Sequence, residues 1–228
     1  MSELASVEDA STPPRWPERV QLRNGSEVVI RPIRSADKRR LQEGFQGLSA
    51  ESRRRRFLVP MPRLSPRLAR YLTEVDHHDH EALVALGAES GEPIGVARYV
   101  RAPDEADAAE VAVAVVDAWH GQGVASELLR RLAQRAREEG IVRFTATCLA
   151  HNREALELFD DVGATRVVSS ESGLVEAEIE LPAVDERRLL DLLRAAATRH
   201  LIFRPGWTRL GTGADAEPDW PPKERDRT

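Results

Sequence analysis

The chain has 228 residues, 41% hydrophobic and 31% charged with a net charge of −5, which is enough to bury one sizeable core or one domain with appendages. No stretch approaches the roughly 18 apolar residues of a membrane span, and the acidic start Met-Ser-Glu-Leu-Ala-Ser-Val-Glu-Asp-Ala lacks the pattern of a secretory signal, so a cytoplasmic protein is expected. A single cysteine, Cys148, excludes an internal disulfide framework and a one-chain thiolate metal cluster; in an apolar strand pattern it reads as structural.

Residues 1–18, with Pro13, Pro14 and Pro17, read as a flexible leader with too little apolar surface to fold alone. From Arg19 the residues alternate on both sides of Asn24-Gly25, a strong hairpin signal that opens the domain. Pro32 ends the second strand, and Ser35 is the expected N-cap of a helix carrying Leu41, Phe45 and Leu48. A second helix, from Ser49 or Ser52, holds Arg53, Arg54, Arg55 and Arg56. These read as a solvated face, or as one or two cations reaching an acidic ligand. From Arg31 to Arg70 twelve basic residues stand against three acids, a local charge of +9. Leu68, Leu72 and Val75 suggest a further short helix.

Asp76-His-His-Asp-His-Glu81 places His77, His78 and His80 among carboxylates, but not at the spacing of a helical zinc pair, and reads as a polar loop. The strands Ala82–Gly87 and Ile94–Val100 follow as an antiparallel pair. After an acidic loop, Asp104 to Asp107, strand 110–116 runs into Gly121 and Gly123 and then a helix. That helix puts Val124, Leu128, Leu129, Leu132, Ala133 and Ala136 on one face and Arg130, Arg131, Gln134, Arg135 and Arg137 on the other, closing at Gly140.

The strand Val142–Leu149 follows a crossover helix and should lie parallel to strand 110–116. Asn152 opens a helix with Ala155, Leu156, Leu158, Phe159 and Val162 inward, and 165–169 with 174–181 form a last strand pair around Glu171-Ser-Gly173. The fold class is α+β: a mixed, mostly antiparallel sheet with one parallel crossover, flanked by helices. Residues 185–201 read as an amphipathic helix, and the tail from Pro205 as polar and partly disordered or docked through Trp207.

A strand that ends in glycine amides at a helix start suits an anion. A Walker loop needs a Gly-Lys pair, and no lysine is present in this segment. A dinucleotide fingerprint needs a third glycine where Ser126 stands and an acid at the end of the next strand, and 142–153 has none. A pyrophosphate cradle beside a partly free strand edge remains.

His120-Gly-Gln-Gly-Val-Ala125 resembles the Q/R-x-x-G-x-G/A signature of the GNAT superfamily of N-acetyltransferases, with His120 departing at the first position. Asn152 to Ala164 resembles the second signature, with Ala164 departing at the last. The likeness covers about 19–181, leaving 182–228 as a C-terminal helix and tail, and is greatest to the protein lysine acetyltransferases. It implies acetyl-coenzyme A as co-substrate. By the resemblance, the main-chain groups of Val113, Ala114 and Val115 pair with the pantetheine arm. His120 and the amides of Gly121, Gln122, Gly123, Val124, Ala125 and Ser126 hold the pyrophosphate, and Asn152 contacts the arm.

The reaction needs a neutral amine, and a carboxylate can carry its proton away. Glu110, taken as standing at the strand's start before a small apolar run, matches the family's general base, acting through water; without the resemblance it reads as an ordinary solvated acid entering a strand. Phe159 stands where many relatives carry a tyrosine acid, leaving water, Tyr71 or Tyr99 as proton donors. A protein presenting lysine is the expected acceptor, with a small-molecule amine and a non-catalytic acyl-coenzyme A sensor as rivals; nucleic acid fits poorly, because the basic run lacks interleaved aromatics.

Overall fold

The structure, a computed structural model, describes residues 16–183; the expectations for the leader up to residue 15, the helix of 185–201 and the tail with Trp207 lie outside the described residues. β1 (Glu18–Gln21) and β2 (Glu27–Pro32) form the expected hairpin. Gly25 takes φ +85°, and Asn24 Oδ1 accepts the Ser26 N–H at 3.0 Å, so the turn residues themselves set the register.

A 3₁₀ turn, Ser35–Asp37, leads into α1 (Lys38–Gln46). Ser35 lies inside that turn and is not the cap expected of it. The Asp37 carboxylate, at the helix start, bonds back to the Arg34 N–H at 2.9 Å and takes a two-pronged grip from Arg31 at 2.7 Å on each oxygen, and it makes no capping bond to α1. α2 (Ala50–Phe57) is capped by Ser49 and α3 (Pro66–Thr73) by Ser65, each side chain accepting an N–H three residues on, at 3.1 and 3.2 Å.

β3 (His80–Gly87), β4 (Pro93–Ala102) and β5 (Glu105–Val115) make an antiparallel meander. β5 begins five residues before the expected Glu110, so most of the acidic segment Asp104 to Asp107 is strand rather than loop. Two arginines make this possible: Arg143 ion-pairs with Glu105, and Arg101 bonds Asp79 and the Ala106 carbonyl. α4 (Val124–Glu138) crosses over to β6 (Arg143–Leu149), which lies parallel to β5. α5 (Arg153–Asp160) leads to β7 (Ala164–Glu171) and β8 (Leu174–Glu180), joined through Ser172 (φ +50°) and Gly173 (φ +79°), the two left-handed residues that a tight hairpin needs.

The eight strands form one sheet in the order β1-β2-β3-β4-β5-β6-β8-β7, with β8 inserted between β6 and β7. One parallel pair in a mostly antiparallel sheet flanked by helices is the expected fold class. α4 buries its six expected apolar residues, Val124 to Ala136, against one face with Ala97, Tyr99 and Val111. Arg131, expected on the solvent side, is 4% exposed because its guanidinium clamps Glu18 of β1 and Glu127. The other face carries a second cluster from α1 to α3, Phe45, Leu48, Leu64, Ala69 and Leu72, against Ala114. Among the described residues no helix is long and apolar enough to cross a membrane.

Candidate active site

β5 and β6 part company inside the sheet. Their shared ladder has three rungs, Ala108↔Arg143, Ala109↔Phe144 and Glu110↔Thr145, after which β6 runs on with β8 to Leu149 while β5 stays with β4 to Val115. Glu110 is therefore not at the start of its strand, as expected, but at its middle, where the two strands begin to diverge.

Beyond Glu110 one edge of β5 is unpaired by β6. The Val116 N–H donates to Ile94 O at 2.8 Å, and in an antiparallel ladder this role alternates, so Ala114, Ala112 and Glu110 also turn their peptide groups toward β4. Those of Val111, Val113 and Val115 face the opening. Ala114 thus contributes its methyl group to a cleft and not its main chain to the free edge, contrary to expectation. The Val115 carbonyl is already engaged: the His120 ring donates Nε2–H to it at 2.8 Å. His120 folds back onto the strand.

At the end of β5 a 3₁₀ turn, Asp117–Trp119, delivers the glycine loop. Gly121 (φ +71°) and Gly123 (φ +89°) hold left-handed conformations, and a Cβ built on either would meet nothing within 4 Å, so the space above the loop is open. Gly123 is the N-cap of α4 and no side chain caps that helix. The first intrahelical bond is Glu127 N–H to Gly123 O at 3.0 Å, which leaves the amides of Gly123 to Ser126 without helical acceptors at the positive end of the helix dipole. The arrangement is a cradle for an anion.

Gln122 holds the loop instead of facing the opening: it donates to Ala118 O at 2.8 Å, and its Oε1 accepts from Asn24 at 2.7 Å. Asn24, in the β1–β2 turn, is a supporting residue that sequence reading missed, since 98 positions separate the pair. Asn152 caps α5, its Oδ1 accepting the Ala155 N–H at 3.3 Å, and is 9% exposed.

Glu110 points to the face that carries α1 to α3. Burial raises its carboxyl above the usual glutamate range; Glu176 adds to the rise and Arg56 opposes it. The side chain is nonetheless solvent-exposed. Tyr71 is also raised by burial, and Arg98, Glu110 and Arg56 all bear on it. Arg56, Tyr71, Arg98 and Glu110 therefore form one electrostatic group. The four consecutive arginines of α2 separate by role. Arg53 bonds the carbonyls of Phe45, Gln46 and Pro62, Arg55 pairs with Glu51 and Glu154, Arg54 is exposed, and Arg56 turns inward.

Of the two tyrosines, Tyr99 is fully buried with its hydroxyl donating to His78 O, in the core on the α4 side. Phe159 is 5% exposed in that same core. The histidine segment forms a buttress: His77 binds Glu81, His78 binds Glu139, and His80 meets Arg98 at 2.9 Å, while Asp76 accepts the N–H groups of His78 and His80. Cys148 is buried, and burial raises its thiol, which leaves it a poor nucleophile. An open cleft lies between α1 to α3 and the sheet, bordered by Phe45, Phe57, Leu72, Ala114, Arg56 and Arg98.

A model of the acetyltransferase (GNAT) family matches residues 49–164. The acetyltransferase Pat of Mycolicibacterium smegmatis is 35% identical over 187 residues, which is 80% of this chain and 55% of the relative. An acetyltransferase of Pseudomonas aeruginosa is 34% identical over 145 residues, 63% of this chain and 76% of that one. The crystal structure of the GNAT domain of S. lividans PAT superposes with a TM-score of 0.67 at 38% identity, covering 73% of this chain and 97% of that domain. This chain spans about half the length of the M. smegmatis relative.

Proposed function

Because the chain belongs to the acetyltransferase (GNAT) family, we propose that it transfers the acetyl group of acetyl-coenzyme A to the side-chain amine of protein lysines. The observation that carries the reading is the wedge between β5 and β6. It has a carboxylate at its apex, free main-chain groups along one side and an uncapped helix N-terminus at its end.

The residues fit the coenzyme. The open space above Gly121 and Gly123 is where a pyrophosphate meets the amides of Gly121 to Ser126, and a Cβ in this loop would project into it. The main-chain groups of Val113 and the N–H of Val115 pair with the pantetheine arm as an added strand would. His120 shapes the edge through the Val115 carbonyl, and Asn152 borders the arm while capping α5. When bound, the coenzyme supplies a thioester carbonyl.

A lysine amine near pKa 10.4 is mostly protonated at pH 7, so presenting it neutral costs about 4 to 5 kcal/mol. Glu110 takes that proton through a water, and its raised pKa brings it nearer the operating pH than an ordinary glutamate. Arg56, close to the same point, disfavours a second positive charge and so favours the neutral amine. As the N–C bond forms and the C–S bond breaks, coenzyme A leaves as a thiolate and takes a proton from water or from Tyr71. We assign the transferase domain to residues 18–181 and not 19–181, because Glu18 opens β1 and pairs with Arg131.

The test is incubation of the protein with acetyl-coenzyme A and lysine-bearing proteins or small amines, following free thiol and the mass of each acceptor. Thiol release with acetylated lysine supports the reading. Turnover on small amines alone replaces the acceptor class, and tight coenzyme binding without turnover on any amine makes the chain a sensor.

A further inference from the structure

Three arginines among the described residues are buried. Arg31 is 9% exposed and holds Asp37 with both prongs; Arg131 is 4% exposed and holds Glu18 and Glu127. Arg98, also 4% exposed, has only neutral partners: Nη2 donates to Leu72 O at 2.8 Å and Nη1 to His80 Nε2 at 2.9 Å. His80 cannot compensate the charge, since it is an acceptor here only when neutral; burial and Arg98 push its pKa down to about 4. The Leu72 carbonyl belongs to the C-terminal turn of α3 and offers at most the partial negative charge of a helix end. Arg98 has no carboxylate partner among the described residues.

A second guanidinium without a hydrogen-bonded carboxylate among the described residues faces the same space, and Glu110 acts on it only through space. Arg56 contacts the Phe57 ring at 4.9 Å and borders the same cleft. The one carboxylate in the lining, Asp37, is already held by Arg31 and Arg40. Apart from Arg40, which pairs with that Asp37, the remaining walls, among them Phe45, Leu48, Leu64, Val84 and Val96, are apolar. Burying a cation without a counter-charge is costly, and the cost is relieved when an anion arrives.

We propose that Arg98 and Arg56 form a carboxylate subsite at the inner end of this cleft, so that the enzyme takes a short, otherwise apolar ligand ending in a carboxylate. The subsite rests on the acyl-transfer reading for its geometry. Arg98 of β4 stands opposite Ala112 of β5, and Glu110 opposite Val100, so Arg98 and Glu110 are diagonal neighbours on one face of the sheet, about 7–8 Å apart and somewhat less between their Cβ atoms. A chain of a few carbons bridges that span. Its other end reaches past the cleft's lining, which includes Arg56 and Ala114 but not Glu110, to the carboxylate where the amine and the thioester meet.

The carboxylate has two sources. It is the far end of a dicarboxylic acyl group on the donor, in which case the bonds made and broken are those of acetyl transfer. Otherwise it is the carboxylate of a small amino-acid acceptor whose amine lies at Glu110.

Calorimetric titration of the intact protein separates them, and binding is read independently of turnover. One arm compares succinyl-coenzyme A with butyryl-coenzyme A; the other compares leucine with leucinamide on protein saturated with coenzyme A. The expected result is a preference of about tenfold or more for the carboxylate form in one arm. Arg98→Met abolishes it while coenzyme A alone binds unchanged. Arg56→Met, which does not touch the α3 end, weakens it and serves if Arg98→Met fails to fold. Equal binding within about twofold in both arms of the wild-type protein, or a preference that survives both substitutions, overturns the subsite. Absence of turnover with the preference intact overturns the transfer reading alone.

Discussion

Glu110 and Thr145 are the last pair on the ladder that joins β5 to β6. Everything that distinguishes this site from an ordinary sheet follows from that rung. Upstream of it the strands are bonded; downstream, the odd-numbered residues of β5 turn their peptide groups into an opening that ends at the amides of α4. A carboxylate at the parting point is close to whatever lies along the open edge.

The charges around Glu110 should move its titration in opposite directions. Arg56 lowers its pKa and Glu176 raises it. A base must be ionised, so activity rises as pH climbs through the Glu110 pKa. Arg56→Met should shift the acidic limb of kcat/KM to higher pH, and Glu176→Gln should shift it lower. A pH–rate profile of the three proteins checks both signs; a limb that stays put in both variants removes Glu110 as the titrating group.

The loop should depend on a residue far away in sequence. Asn24 holds the Gln122 side chain at 2.7 Å in an exposed setting, so Asn24→Ala should cost about 0.5–1.5 kcal/mol of coenzyme binding. That is a rise in KM for acetyl-coenzyme A of about two- to tenfold, with kcat little changed. Gly123→Ala, at φ +89°, should act more strongly, because a side chain strains the backbone and intrudes where the anion lies. Unaltered KM in both variants would contradict the cradle.

Stability should respond to the buried ion pairs. Removing Arg131 leaves Glu18 and Glu127 without their cation, so Arg131→Met should lower the unfolding free energy by about 3–5 kcal/mol, measurable by urea denaturation.

Asp37 supplies the pH dependence. Burial alone would raise its pKa, but Arg31, the Arg34 N–H and Arg40 outweigh burial and hold it below 3.8. A depressed folded pKa means that the stabilisation is present above the unfolded pKa near 3.8 and is lost as pH falls through the lower folded value. Asp37→Asn should lower stability at pH 7 and flatten its decline between about pH 5 and 2. An unchanged slope would assign the acid sensitivity elsewhere.

The local devices were legible in the sequence because they act within a few residues. Asn24-Gly25, the Ser49 helix start, the Ser172-Gly173 turn and the apolar face of α4 each carry their own geometry. Ser35 fell inside a 3₁₀ turn, where the Asp37 carboxylate, held by Arg31 of β2, bonds back to the Arg34 N–H. The segment Glu105 to Asp107 became strand, with Arg143 pairing Glu105 and Arg101 bonding the Ala106 carbonyl. The divergence after Glu110 depends on where β6 and β8 pair, and no pattern along β5 records that. The Arg98, His80 and Leu72 contacts are equally silent, since a lone arginine in a strand gives no sign of lacking a carboxylate. For the candidate site, the sequence located the glycine loop and Glu110; it did not reveal which peptide groups of β5 face outward, or that His120 and Gln122 are occupied within the protein.

The most direct measurement is of Glu110→Gln, with acetyl-coenzyme A binding by calorimetry beside thiol release with a lysine acceptor. Loss of a general base should reduce turnover by about 10²- to 10⁴-fold while the dissociation constant for acetyl-coenzyme A stays within about twofold. Turnover equal to wild type across the pH range, with binding unchanged, would contradict the assignment of Glu110 as the group that receives the amine proton.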